Sequence, residues 1–141
     1  MTSLRTLVVE DLEDFRHFLC AALEETTACV VIGEASDGLE AVKKAEELQP
    51  DLILLDLGLP TLNGMEAARQ IRRLSPNSKI LIVSQEASTE LVLGAMRIGV
   101  RGYLCKSDAD ELSIGVEALV NDAQFVSSRL RHIFPAERPP A

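Results

Sequence analysis

Residues 51–64 read Asp51-Leu-Ile-Leu-Leu-Asp-Leu-Gly-Leu-Pro-Thr-Leu-Asn-Gly64. Leu52 to Leu55 form an apolar run with no polar alternation, and it stops at Asp56. Such a run suits a parallel strand buried on both faces. The Pro and Gly that follow mark a turn. Asn63 with Glu66 is a capping pair, and Met65, Ala68, Ile71 and Leu74 then repeat at helical spacing. The stretch is therefore a strand, an acid at its carboxyl end, a turn and a helix.

The same unit recurs on either side. Apolar runs lie at Leu4 to Val9, Cys29 to Gly33, Ile80 to Val83 and Gly102 to Leu104. Helical faces lie between and after them: Phe15, Phe18, Leu19, Ala22 and Leu23; Leu39, Val42, Ala45 and Leu48; Leu91, Val92, Ala95 and Met96; Leu112, Val116, Leu119 and Val120. Asp37 with Glu40 and Asp108 with Glu111 are further capping pairs, and Gln49-Pro50 and Ser75-Pro76 close two helices. Five strands alternating with five helices predict an α/β doubly wound parallel sheet. Alternation alone does not fix the strand order. The segment 131–141, with Phe134-Pro-Ala-Glu-Arg-Pro-Pro-Ala, has the composition of a linker or tail.

Composition agrees with one domain. The chain has 141 residues, 47% of them apolar but only 4% aromatic, so the core must be aliphatic. A net charge of -8 argues against direct contact with a nucleic-acid backbone. Cys20, Cys29 and Cys105 have no metal-ligand spacing and read as small core residues. No run is long enough to span a membrane, and the N-terminus turns acidic before a signal peptide develops, so a cytoplasmic location is the expectation.

In an open parallel sheet, ligands bind beyond the carboxyl ends of the strands. There the sequence places Glu10 and Asp11 after the first run, Asp56 after the third, Ser84 after the fourth and Lys106 after the fifth. Each has a plain structural account when taken singly: a helix start, a loop cap, a solvated lysine. Together they gather at one edge of the sheet. Three carboxylates held close need a counter-charge. Hard oxygen ligands that leave room for water suit Mg²⁺. A carboxylate can attack a phosphoryl donor, and the reaction depends on neutralising the phosphoryl oxygens. Lys106 and the metal would do that, with the Ser84 hydroxyl as a further partner.

These stretches resemble the response-regulator receiver family of two-component signalling. Val8-Val-Glu-Asp-Leu-Glu-Asp-Phe-Arg16 is similar to its acidic turn, residues 51–64 to its phosphoacceptor strand, and Ile82-Val-Ser84 and Gly102-Tyr-Leu-Cys-Lys106 to the rest of its site. The resemblance implies a receiver domain over residues 1–130 with a flavodoxin-like sheet of order 2-1-3-4-5. It implies that Asp56 is the phosphoacceptor and that Glu10, Asp11, Asp56 and the Gly58 carbonyl bind Mg²⁺. Lys106 would pair with the phosphoryl group, and Ser84 and Tyr103 would be a switch pair, Tyr103 filling space that Ser84 vacates. Gln85 and Glu86 would border phosphoryl access. The implied partner is a sensor histidine kinase, and the implied output face is formed by the fourth helix, fifth strand and fifth helix, a candidate homodimer surface. Such a protein is a switch rather than a turnover enzyme, catalysing only its own phosphoryl transfer and dephosphorylation.

Gly99-Val-Arg-Gly-Tyr-Leu-Cys-Lys-Ser107 and Phe125-Val-Ser127 resemble the NarL/FixJ (LuxR-type) subgroup. Its members usually regulate transcription through a C-terminal helix-turn-helix domain, so DNA contact is expected only through such a domain, with the Pro-rich tail beginning its linker. Four positions depart from the family pattern. Glu10 stands where Asp is commoner, Gln85 where a small residue is usual, Gly58 removes a side chain two positions after Asp56, and Ser107 follows Lys106 in place of Pro. Of these, Gln85 bears most on phosphoryl access and lifetime.

Three rivals are weaker. A flavodoxin needs hydroxyl and N–H donors after the first strand, where this chain has Glu10-Asp-Leu-Glu-Asp14. An aspartyl-phosphate hydrolase commonly needs a second Asp where Gly58 stands. A degenerate receiver would not keep the acids, Ser84 and Lys106 together.

Overall fold

The computed structural model describes residues 3–133. Its strands are β1 (Leu4–Val9), β2 (Cys29–Ala35), β3 (Leu52–Leu55), β4 (Lys79–Ser84), β5 (Gly102–Cys105) and β6 (Phe125–Val126). Its helices are α1 (Glu13–Thr26), α2 (Gly38–Leu48), α3 (Gly64–Leu74), α4 (Thr89–Ile98) and α5 (Leu112–Val120), with 3-10 turns at Lys106–Glu111 and Ser128–Leu130. The strands are all parallel, in the order β2-β1-β3-β4-β5-β6. The expected order of five is present, and β6 extends it by two residues paired to Gly102 and Tyr103. Part of the expected tail, 134–141, lies outside the described residues.

Side chains that alternate along each strand separate the core into two layers. Leu7, Val9, Ile53, Leu55, Ile80 and Ile82 meet Ala41 and Ala45 of α2, Ala67, Ala68 and Ile71 of α3, and Val92 and Ala95 of α4. Val8, Leu54, Leu81, Val83 and Leu104 meet Leu19 and Leu23 of α1 and Leu112, Val116 and Leu119 of α5. Both layers are mainly aliphatic, with Tyr103 in the first and Phe125 in the second, and each fully buried Leu or Ile contributes about 1.5–3 kcal/mol. Alanines on α2, α3 and α4 let those helices lie close to the sheet.

The periodicity over-read the width of the helix faces. Phe18, Leu39, Leu74 and Val120 were expected on inner faces, yet all are exposed. Each lies at the margin of its apolar stripe, beyond the arc that reaches the sheet. Capping was read correctly at two helices: Asp37 accepts from Glu40 N at 2.8 Å, and Asn63 accepts from Glu66 N at 3.0 Å. The Asp108–Glu111 pair does not cap α5. The chain leaves β5 in a 3-10 turn and α5 begins only at Leu112, so Asp108 sits too early. Its carboxylate instead accepts from Arg129 N and Nε, and Glu111 accepts from Ser128 N. Ser88 caps α4 through Leu91 N, a role the sequence reading missed.

Loops at the carboxyl edge of the sheet are packed backbone to backbone. A Cβ on Gly38 would lie 1.8 Å from the Leu62 carbonyl oxygen, and one on Gly64 would lie 2.2 Å from that of Asp56. Gly64 N also donates to Leu57 O at 2.9 Å. The start of α3 is thus pressed against the loop that carries Asp56. Gly64→Ala is expected to lower the unfolding free energy by about 1–3 kcal/mol, the usual cost of overpacking. An unchanged denaturant midpoint would contradict this close approach.

Candidate functional site

Ladder hydrogen bonds at the ends of β1 and β3 set the site. Glu10 N donates to Ala35 O at 3.0 Å and Asp56 N donates to Val9 O at 3.1 Å. The two acids therefore stand on adjacent strands at one edge. Glu10 is fully buried and Asp56 nearly so, whereas Asp11 is exposed. One carboxylate oxygen from each of the three lies within 4.8 Å of the others.

Lys106 enters from the end of β5. Its Nζ lies 2.7 Å from Glu10 Oε1 and 3.5 Å from Asp56 Oδ2, and its side chain is 11% exposed. The closer contact is an ion pair not aligned as a hydrogen bond, so buried Oε1 keeps no well-directed donor. Oε2 accepts from Leu12 N at 3.1 Å. Burial raises the Glu10 carboxyl above its ordinary range and the Asp56 charge adds to this, while Lys106 and the Leu12 N–H oppose it. A buried oxygen without a directed donor, beside two further carboxylates of which one faces solvent, is a donor set that a hard divalent cation fits.

Around these groups lies a cleft of about 200 Å³ lined by Asp11, Asp56, Gly58, Ser84, Gln85, Glu86 and Lys106, together with Leu12. Gly58 N donates to Asp56 Oδ1 at 3.3 Å, and a Cβ on Gly58 would meet open space. Gln85 and Glu86 are exposed at the mouth of the cleft. Every candidate from the sequence except Tyr103 thus lines this cleft or, as with Glu10, abuts it.

Tyr103 lies deeper. Its ring is fully buried, and the expected move into space vacated by Ser84 concerns the phosphorylated state. Its hydroxyl donates to Glu86 O at 2.6 Å, and Ser84 Oγ accepts from Glu86 N at 3.1 Å. One loop residue, Glu86, is thus held by both members of the expected switch pair. The sequence reading also missed two supports from α1. Arg16 Nη1 donates to Glu10 O at 2.9 Å while its Nε pairs with Glu34, and the Phe15 ring lies 4.7 Å from Lys106 Nζ. The only sequence signal for either was its place one helical turn beyond the acidic pair.

The family model described as the response regulator receiver domain matches residues 6–117. The chain belongs to this family. The receiver is 38% identical over 138 residues to the transcriptional regulatory protein LiaR of Bacillus subtilis, covering 92% of this chain and 65% of LiaR. It is 33% identical over 102 residues to the chemotaxis protein CheY of Thermotoga maritima, covering 72% of this chain and 84% of CheY. A solved LuxR-family two-component response regulator from an Aurantimonas species superposes with a TM-score of 0.87 at 30% identity, covering 93% of this chain and 94% of that one. The chain spans a little under two thirds of LiaR's length. These relatives place the receiver in the LuxR/NarL-type group of two-component response regulators.

Burial pushes the Tyr103 phenol up to about 12 from the usual 10.0. A neutral form favoured by folding contributes stability that is complete below the unfolded value and is lost as pH rises through the folded one. Tyr103 is the only tyrosine, so phenolate absorbance reports it directly. The absorbance is expected to rise near pH 12 together with unfolding. A midpoint near 10 in the folded protein would put the hydroxyl in solvent instead.

Proposed function

We propose that this receiver is a phosphorylation switch in which Asp56 accepts a phosphoryl group beside Mg²⁺. The observation that carries this reading is the Lys106 ammonium poised between Glu10 and Asp56 at the carboxyl edge of the sheet. An Asp56 carboxylate oxygen attacks phosphorus. The bond from phosphorus to the donor breaks, and the donor leaves with its electron pair: acetate from acetyl phosphate, or the histidine nitrogen of a sensor kinase. Glu10, Asp11, Asp56 and the Gly58 carbonyl would hold Mg²⁺, which supplies charge neutralisation of the acids and the phosphoryl oxygens. Lys106 then shifts its pairing from a carboxylate to a phosphoryl oxygen. Exposed Gln85 and Glu86 border the approach of donor and water, and Gly58 leaves that approach open.

The output runs through Glu86. A phosphoryl oxygen on Asp56 draws the Ser84 hydroxyl toward itself, and the Glu86 N–H loses its acceptor. Tyr103 still holds the Glu86 carbonyl from inside, so the loop between β4 and α4 is free to settle in a second packing against a fixed ring. That biases the face made by α4, β5 and α5, the surface proposed for self-association. In a longer response regulator this change would reach a C-terminal helix-turn-helix domain, the proposed route to DNA. Among the described residues no helix is long and apolar enough to cross a membrane.

Incubation with acetyl phosphate and Mg²⁺ is expected to add one phosphoryl mass to the intact protein. Asp56→Asn should abolish the adduct, as should chelation of the metal. An adduct that persists in Asp56→Asn would assign the acceptor elsewhere.

A further inference from the structure

Lys106 carries its charge on a flexible four-carbon stem, and a flexible stem does not by itself choose between two carboxylates. Two contacts on the acidic side hold its Nζ, at 2.7 Å to Glu10 and 3.5 Å to Asp56. On another side the Phe15 ring lies over it, 4.7 Å from Nζ to the ring centroid. That distance is within the range in which a ring face attracts a cation. The ring is itself held: Phe15 stacks on Phe18 with centroids 5.6 Å apart and planes 22° apart, and it packs against the layer that contains Leu19, Leu23 and Leu104.

We propose that Phe15 is a positioning residue for the phosphorylation site, its ring face holding the Lys106 ammonium at the acidic edge while that ammonium changes partners. The inference rests on the assignment of Lys106 to the transferred phosphoryl group. A hydrogen bond to a neighbouring side chain is directional and would resist the change of partner. A ring face attracts a cation over a broad area, so Nζ can move from Glu10 toward a group on Asp56 without leaving the ring. The ring also covers one side of the ammonium, which keeps water from competing there. Helix α1 thereby contributes to the site through a residue that bears no charge and touches neither metal nor phosphate.

The test is a double-variant cycle on the rate of phosphorylation by acetyl phosphate at saturating Mg²⁺. Phe15→Leu keeps an apolar side chain and removes the ring face, and the rate is expected to fall about twofold to thirtyfold, the range a partly desolvated cation–ring contact supports. Phe15→Tyr restores a ring and should return the rate to near that of the unaltered protein. In a Lys106→Met background, Phe15→Leu should cause no further loss. A second readout does not depend on activity. The Lys106 ε-methylene protons should show an upfield ring-current shift in the NMR spectrum that Phe15→Leu abolishes and Phe15→Tyr keeps. Equal losses in both backgrounds, an unaltered rate in Phe15→Leu, or the absence of the ring-current shift would each overturn the proposal. If the unaltered protein takes no phosphoryl group at all, the functional reading of the site fails, and the ring-current shift still decides whether the ring holds the lysine.

Discussion

Two carboxylates placed side by side at a largely buried edge repel each other, and burial weakens the screening that water would give them. In this fold Glu10 and Asp56 are in that position, and the Lys106 ammonium is the counter-charge that lets them stay close. Removing one partner of a buried charge set typically costs about 3–5 kcal/mol, because the remaining charge is left uncompensated. The three strand ends are fixed accordingly. Ala35 and Val9 carbonyls accept from Glu10 and Asp56, and the buried Ser127 hydroxyl accepts from Cys105 N, one residue before Lys106. The short sixth strand thus helps set where the lysine leaves the sheet.

The surrounding architecture serves the same constraint. A close backbone contact at Gly38 presses the start of α2 onto the loop after β3, and one at Gly64 presses the start of α3 onto the Asp56 end of that same loop. Arg16 ties the first turn of α1 to the Glu10 carbonyl and to Glu34 at once. Backbone ladder bonds place Asp56, whereas Glu86, in the loop after β4, accepts from the Tyr103 hydroxyl and donates to that of Ser84. The switch proposed above would draw on both parts, a fixed site and a neighbour with two packings of similar energy.

Much of this was legible in the sequence because strand runs buried on both faces leave a plain signature. Leu52 to Leu55 followed by Asp56 says strand and edge acid together, and the same holds at Val9 with Glu10 and Asp11. Five candidates at the ends of four runs meet because parallel strands bring all their carboxyl ends to one side. What was not legible depends on tertiary detail. Phe125–Val126 is too short to show a strand pattern. Asp108 looked like a cap because its spacing to Glu111 fits one, but a 3-10 turn consumed the intervening residues. The depth of Tyr103 and the seat of Phe15 over Lys106 depend on which elements pack side by side, and no local period encodes that.

The dependence of the site on its lysine can be read in a single measurement, the thermal unfolding midpoint of Lys106→Met and of the unaltered protein with and without Mg²⁺. If the ammonium is the counter-charge that the acids need, the variant will unfold at a lower temperature without metal and will gain more from Mg²⁺ than the unaltered protein does. Binding to the folded state adds stability that grows with the logarithm of ligand concentration over dissociation constant, and an ion that no longer has to compete with a lysine binds more tightly. Equal gains from Mg²⁺ in the two proteins, with no loss of stability in the metal-free variant, would contradict the account.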